Sequence, residues 1–173
     1  MSAQDDGTPE GRDGTAMADD GSTTPGSATA AEDAALQEAL AAAHTAIWGY
    51  GVVGAAVPLE ARGPVVAAEQ AHQDLREQLT TLLASRRVEP VDDEGGYALP
   101  FPVLSPVDAA ALAVTLEEGA ATAWTWVLDQ ATEHSTRELA VGALTGAELR
   151  AVGWRAQAGV TPVTTAFPGL PTT

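Results

Sequence analysis

The period of the apolar residues is the strongest constraint on this sequence, because they recur every three or four positions through four long Ala-rich segments. That period places apolar side chains on one face of a helix, so each segment is expected to bury one face. In the first segment the pattern consists of Leu36, Leu40, Ala43, Ile47 and Tyr50. The sequence therefore predicts an all-α protein built from four amphipathic helices.

Capping residues and prolines set the expected ends of these helices. Thr29 and Glu32 have the spacing of a capping box, in which each side chain bonds the backbone N–H of the other residue. Ser135 and Glu138 have the same spacing, and Ser105 precedes a proline at a first helical position. The helices are predicted over residues 29–57, 63–87, 106–131 and 135–159.

The connection between helices two and three is much longer than the other two connections. It runs from Val88 to Leu104 and has 17 residues. In an extended conformation it reaches roughly 50 Å at about 3.1 Å per residue, whereas a helix of this size is only about 35 Å long. Short links make neighbouring helices antiparallel, and one long central link is typical of ferritin-like bundles. We therefore predict a ferritin-like four-helix bundle with one long crossover between helices two and three.

The composition excludes several classes of chemistry. The formal charge of -16 disfavours nucleic acid and acidic membrane surfaces as partners. All eight basic residues are Arg, so no lysine is available for a Schiff base or for a phosphate-binding P-loop. The chain also has no Cys, which removes thiol catalysis, disulfides and Cys-bound metals.

The two ends of the sequence differ in composition from the helical segments. Residues 1–33 carry eight acidic residues and only Arg12 as a base, with few apolar side chains between them. We expect residues 1–28 to be disordered, residues 29–159 to form the bundle, and residues 160–173 to form a Pro/Thr-rich tail. No basic region followed by an apolar run occurs near the start, so we expect no secretory signal and a cytoplasmic location.

One stretch is long enough to span a membrane by its composition. Residues 39–59 contain no Asp, Glu, Lys or Arg, a run of 21 residues. The run is mostly Ala and Gly, contains His44, and has no basic residue on its N-terminal side. These features favour a packed helix over a transmembrane one. Gly49, Gly51 and Gly54 weaken this helix, which indicates a close approach of another chain segment at that face.

Several motifs resemble those of an uncharacterised bacterial family of ferritin-like domains. The motifs are Glu69-Gln-Ala-His72, ALPFPV at residues 98–103, LEEG at residues 116–119 and Phe167-Pro-Gly169, and the resemblance covers roughly residues 30–170. It implies a ferritin-like four-helix fold. It implies no particular activity, because members of that family have none established.

A group of His and Glu side chains near the middle of the predicted helices is the candidate site. Dimetal carboxylate proteins of the ferritin-like class use a Glu from each of two helices and Glu-x-x-His from each of the other two. Helix two has one such motif, but helix one lacks an inward Glu and helix four lacks the His, so two of the six ligands are missing. The candidate metal ligands are Glu69, His72, Glu117, Glu118, Glu148 and His44.

Three interpretations of these side chains remain open at the level of sequence. They could form a hydrogen-bonded core layer without a cofactor, bind iron or manganese through nitrogen and carboxylate donors, or face outward into solvent. Apolar residues flank both Glu117 and Glu118, so the pattern does not decide which of them faces the core.

The corresponding functions belong to different classes. The first is a non-catalytic structural or interaction module, expected as a homodimer that uses the Gly-rich face of helix one or an exposed Trp. The second is a dimetal oxidoreductase or metal-binding protein. A third interpretation has the acidic N-terminal tail bind a basic partner. Trp124 and Trp126 are two positions apart on one helix, so both cannot face inward.

Overall fold

The computed structural model describes residues 25–170, and this part of the chain contains α-helices and no strands. The helices are α1 (Pro25–Ala56), α2 (Gly63–Ser85), α3 (Pro106–Gln130) and α4 (His134–Gln157), and a single 3-10 turn, Leu59–Ala61, lies between α1 and α2. The all-α prediction is confirmed. The disorder expected for residues 1–24 lies outside the described residues, as do the last three residues of the C-terminal tail, whereas residues 25–28, also expected to be disordered, belong to α1.

The sequence signals locate some helix ends correctly and others wrongly. Ser105 caps α3 as predicted, because its side chain accepts a hydrogen bond from the backbone N–H of Asp108. The predicted start of α1 at Thr29 is wrong, since the helix begins at Pro25. The capping box at Ser135 is wrong too, because Glu133 occupies the N-cap of α4 and makes no side-chain capping bond.

The helices pack through small residues around two apolar clusters. Helix α1 packs against α2 and α3, and α3 packs against α4. The first cluster includes Leu36 and Leu40 of α1, Leu79 of α2 and Trp124 of α3. The second cluster lies toward the C-terminal end of α1 and includes Tyr50, Val53, Val65, Leu112 and Trp154. Most of the α4 residues in these clusters are Ala, which lets that helix approach the others closely.

The crossover segment, residues 86–105, runs along α1 in the same direction as that helix. Near the start of α1, the side chain of Gln37 donates to the carbonyl of Glu89 at 2.6 Å and accepts from the backbone N–H of Val91 at 2.8 Å. Further along, the rings of Trp48 and Tyr97 lie 5.7 Å apart. The segment therefore brings the chain back along α1, so α3 starts beside the C-terminal end of α1 and runs antiparallel to it.

Helix α1 is long and apolar enough to cross a bilayer, with a mean hydropathy of 1.2 over its most apolar window in Gly26–Ala56. In the structure its apolar side chains pack against the other helices, and four of them are fully buried, namely Leu36, Leu40, Tyr50 and Val53. The packing thus favours a core helix. The close approach expected at its glycines is found at Gly49, where a Cβ would lie 2.6 Å from the side chain of Leu116, but not at Gly51, which has open space around it.

A buried carboxylate joins the start of α1 to the turn between α3 and α4. Glu32 is inaccessible to solvent. It accepts hydrogen bonds from the hydroxyls of Thr132 and Thr136, at 2.5 and 2.6 Å, and from Arg86 at 2.6 Å. Burial alone raises the pKa of Glu32, but these hydrogen bonds outweigh it and lower the pKa to about 2. Glu32 thus makes tertiary contacts in place of the predicted capping role.

We predict that Glu32 makes the protein sensitive to acid. Its folded pKa of about 2 lies below the ordinary value of 4.5, so its contribution is complete above pH 4.5 and is lost as the pH falls toward 2. The difference corresponds to roughly 3 kcal/mol, at about 1.36 kcal/mol per pKa unit. Urea unfolding from pH 6 to pH 2 should therefore show a smaller loss of stability for Glu32→Gln than for the wild type. The exposed Glu38→Gln on the same helix is the control, and equal slopes for all three proteins would contradict the assignment.

Candidate site in the polar core

A buried carboxylate, Glu117, lies in the middle of α3 between the two apolar clusters. Its helix face is otherwise formed by Ala113, Ala120, Ala121 and Trp124, all of them buried at spacings of three and four from Glu117 or from one another. Glu117 is fully inaccessible, whereas the neighbouring Glu118 is half exposed. The structure thus decides the alternative that the sequence left open, and Glu117 is the helix-three carboxylate that faces the core.

Each of the other helices directs a hydrogen-bond donor at Glu117. The Tyr50 hydroxyl of α1 donates to Oε1 at 2.5 Å, and Nε2 of His72 in α2 lies 3.2 Å from the same oxygen. Arg150 of α4 makes a bidentate contact, with Nε 2.8 Å from Oε1 and Nη2 2.9 Å from Oε2. Trp154 of α4 extends the group, because its indole N–H donates to the Tyr50 hydroxyl at 2.9 Å. We call these five residues the Glu117 network.

The network keeps Glu117 ionised inside the protein. Burial raises the pKa of a carboxyl group, but the contacts with His72 and Arg150 outweigh it and hold the pKa of Glu117 below its ordinary value. Because the carboxylate only accepts hydrogen bonds, the Nε2 atom of His72 carries a proton and donates. Burial and the charge of Glu117 raise the pKa of the Tyr50 hydroxyl, so this group stays protonated and also donates.

Ring packing holds the donors of the network in place. The rings of Tyr50 and His72 stack with centroids 5.7 Å apart and an interplanar angle of 28°. The Tyr50 and Trp154 rings are 6.1 Å apart and tilted by 43°. No buried side-chain nitrogen or oxygen among the described residues lacks a hydrogen-bond partner. The network is therefore complete with groups of this chain alone.

Glu118 and Glu148 belong to a second group, centred on Arg155 of α4. The guanidinium of Arg155 bonds Glu148 at 2.8 Å and Glu118 at 3.0 Å, and it donates to the carbonyl of Val163 at 3.0 Å. Thr165 also donates to Glu148, at 2.9 Å. Burial raises the pKa of Glu148, yet the contacts with Arg155 and Thr165 outweigh it and lower the pKa. This group attaches the segment that follows α4 to α3 and α4.

The remaining candidates, His44 and Glu69, contact neither group. Nε2 of His44 lies 3.3 Å from the carbonyl of Val91, so this side chain faces the crossover segment. Glu69 accepts a hydrogen bond from Gln73, one turn later on the same helix, at 3.3 Å.

The expectation that all six candidates share one layer is therefore corrected. The structure joins His72 to Glu117 in the core, joins Glu118 to Glu148 through Arg155, and leaves His44 and Glu69 apart from both. Glu117 and Glu118 are separated by rotation, since adjacent residues on a helix point about 100° apart, and Arg150 of α4 bonds both oxygens of Glu117. Within residues 25–170, no three His, Asp or Glu side chains come close enough to bind one metal ion.

Sequence reasoning missed the cations and the aromatic members of these groups. Arg150 lies next to the buried stripe of Ala143, Ala147 and Ala151, a position that indicates a side chain at the edge of the core. Tyr50 was expected only as an apolar residue of α1, but a buried hydroxyl requires a polar partner. The expected conflict between Trp124 and Trp126 is confirmed, because Trp124 is buried and Trp126 is 48% exposed.

Comparison with known proteins identifies the family. The chain belongs to the family described as Domain of unknown function (DUF4439), whose model matches residues 35–172. A solved structure of a conserved hypothetical protein, rv2844, from Mycobacterium tuberculosis is similar to it, with 38% sequence identity and a TM-score of 0.74. The match covers 82% of this chain and 99% of that one. No curated protein matches the chain significantly.

We predict that Glu117 and Arg150 are strongly coupled. Arg150→Met leaves a buried carboxylate without its cation and should cost about 3 kcal/mol of unfolding free energy, and Glu117→Gln should cost roughly 1–3 kcal/mol. The double variant should lose less than the sum of the two, by at least about 1 kcal/mol. Urea unfolding of all four proteins measures this coupling. Arg76→Met is the control, because Arg76 pairs only with the exposed Glu77, at 3.7 Å. If the double variant lost the sum of the two single losses of unfolding free energy, the coupling would be refuted.

A second prediction concerns the segment after α4. Gly169 has φ 77°, and a Cβ there would lie 2.0 Å from the Thr125 hydroxyl oxygen and 2.5 Å from the Ala121 carbonyl. Gly169→Ala should therefore release residues 163–170 from α3, which hydrogen exchange of that peptide measures. Gly159→Ala is the matched control, since Gly159 has φ 72° and open space around its Cβ position. Equal exchange in both variants would show that strain at positive φ, rather than the contact with α3, is responsible.

Proposed function

We propose that this chain is a ferritin-like helical bundle whose polar core layer is structural, and that it acts as a non-catalytic structural or interaction module. The topology supports the ferritin-like part of the proposal. Two helical hairpins are joined by a segment that follows α1 from Gln37 to Trp48, which is the connection expected of such bundles.

The contact between Arg150 and Glu117 carries the proposal. In dimetal carboxylate bundles, inward Glu and His side chains of four helices converge on cations. Here the same level of the bundle contains one carboxylate and one imidazole, and a guanidinium contacts both carboxylate oxygens. A guanidinium is always charged, so it neutralises Glu117 and would repel a divalent cation bound at the same oxygens. A metal would have to displace Arg150.

The alternative, a centre for iron or manganese, rests on a specific observation. The Glu69-x-x-His72 spacing is present, and His72 contacts a Glu of another helix, as ligands of one metal would. The role of the six candidates as metal ligands remains a prediction, and it requires Glu69 to leave Gln73 and turn toward the core.

The interaction part of the proposal places a homodimer contact on α3. Of the two surfaces expected to mediate it, the Gly-rich face of α1 is partly occupied by Leu116 and Val65 of the same chain. Trp126 remains 48% exposed, and aromatic side chains are enriched at interfaces. We therefore favour Trp126 as the dimer contact.

Metal content distinguishes the structural interpretation from the metal interpretation. Protein purified without chelator and dialysed against iron or manganese should retain less than about a tenth of a metal ion per chain by elemental analysis. His72→Ala should not change this value, and neither should the control His134→Ala, which alters an exposed His at the start of α4. Metal near one or two ions per chain, lost in His72→Ala but kept in His134→Ala, would replace the structural interpretation with a metal centre.

A further inference from the structure

We propose that a cavity between α1, α3 and the crossover segment is a binding site for a neutral, largely apolar molecule with aromatic rings. The cavity has a volume of about 340 Å³. This lies within the range of roughly 300–1,000 Å³ that small-molecule sites occupy, near its lower limit. It is separate from the Glu117 network, so the inference is independent of the structural role proposed for that network.

Small residues of both helices create the space. Ala42 and Gly49 of α1 face Gly119 and Ala120 of α3 across the cavity. A Cβ at Gly119 would meet nothing within 4 Å. A bound molecule of matching polarity gains van der Waals contacts with these apolar walls that water does not provide.

The crossover segment covers the cavity with an aromatic and apolar roof. Residues 97–100 line one side, and the Tyr97 ring packs at 5.7 Å against that of Trp48. Aromatic rings prefer offset or tilted packing on other rings. Because the rings of this wall already pack against each other, they lose little further conformational freedom when a ligand binds. This wall therefore favours a ligand that contains rings over a flexible chain.

The polar groups of the walls specify a neutral ligand. None of the residues lining the cavity is charged. The two threonine hydroxyls among them, Thr45 and Thr115, donate to carbonyls of their own helices at 2.9 and 3.1 Å. They can therefore accept a hydrogen bond from a ligand but have no proton left to donate. An ionised group buried here would therefore have no counter-charge in the walls, and an anion would also be repelled by the formal charge of -16.

A second depression adjoins the cavity along the groove between α1 and α3. This shallower depression of about 410 Å³ shares Ala42, Thr45 and Gly119 with the cavity and extends to Trp126 and Glu38. The shared residues place the two spaces side by side. Trp126, which is 48% exposed, thus lines the depression next to the cavity.

The proposal is tested with two fluorescent probes that share one ring scaffold. N-phenyl-1-naphthylamine is neutral, and 1-anilinonaphthalene-8-sulfonate adds a sulfonate to it. Titrated into the full chain, the neutral probe should bind at least about tenfold more tightly than the sulfonate. Gly119→Leu and Ala42→Leu, which fill the cavity from opposite walls, should each weaken the neutral probe at least about tenfold.

Gly153→Leu is the matched control, because Gly153 is an exposed helical glycine with open space around it and lies away from the cavity. It should bind the neutral probe as the wild type does, and circular dichroism should verify that all three variants are folded. Equal binding of the two probes, or unchanged binding in both cavity variants, would show that the probe uses a general apolar surface and would overturn the proposal.

Discussion

A carboxylate with no access to solvent, Glu117, is the constraint on which the rest of this structure depends. An ionised group in an apolar core is costly unless every lone pair is paired and the charge is compensated. The compensation comes from three different helices, through Tyr50, His72 and Arg150. Each contact depends on a particular rotation and height of its helix, so a shift of any helix by one turn would leave the charge unpaired. Apolar Ala-rich faces alone allow many registers, and the network selects one.

Contacts between an arginine and carboxylates also occur near both ends of the described chain. Arg86 holds Glu32 and Asp33 beside the turn between α3 and α4, and Arg155 holds Glu148 and Glu118 beside the segment that follows α4. Each guanidinium joins parts of the chain that a backbone connection does not bring together. Arg suits this role better than Lys, because its planar donors bind two acceptors at once and it cannot lose its charge. The absence of Lys from the sequence agrees with that use of the basic residues.

The features that the sequence predicts well are those encoded locally. The Ser105 cap, the end of the first helix near residue 57, the start of the second at residue 63, and the long crossover depend on neighbouring residues or on chain length. Other features depend on partners far away in the chain. Glu32 has the spacing of a capping residue, yet its partner Thr132 is 100 positions away. Glu117 and Glu118 have similar neighbours in sequence and differ by about 100° of rotation, which only packing decides. An Arg side chain on a helix is normally exposed to solvent, so the sequence around Arg150 does not indicate that its partner is a buried carboxylate.

The Glu117 network and the apolar cavity are linked through the spacing between α1 and α3. Tyr50 of α1 bonds Glu117 of α3. The preceding residue of each helix, Gly49 and Leu116, packs against the other on the cavity side. The hydrogen bond and the close packing of Leu116 on Gly49 therefore set how closely the helices approach just beside the cavity. With that distance set, small residues such as Ala42 and Gly119 leave space that the helices cannot close by moving together. A rigid polar core next to small side chains thus keeps a preformed cavity open, and preformed cavities bind with less conformational cost than those that must open.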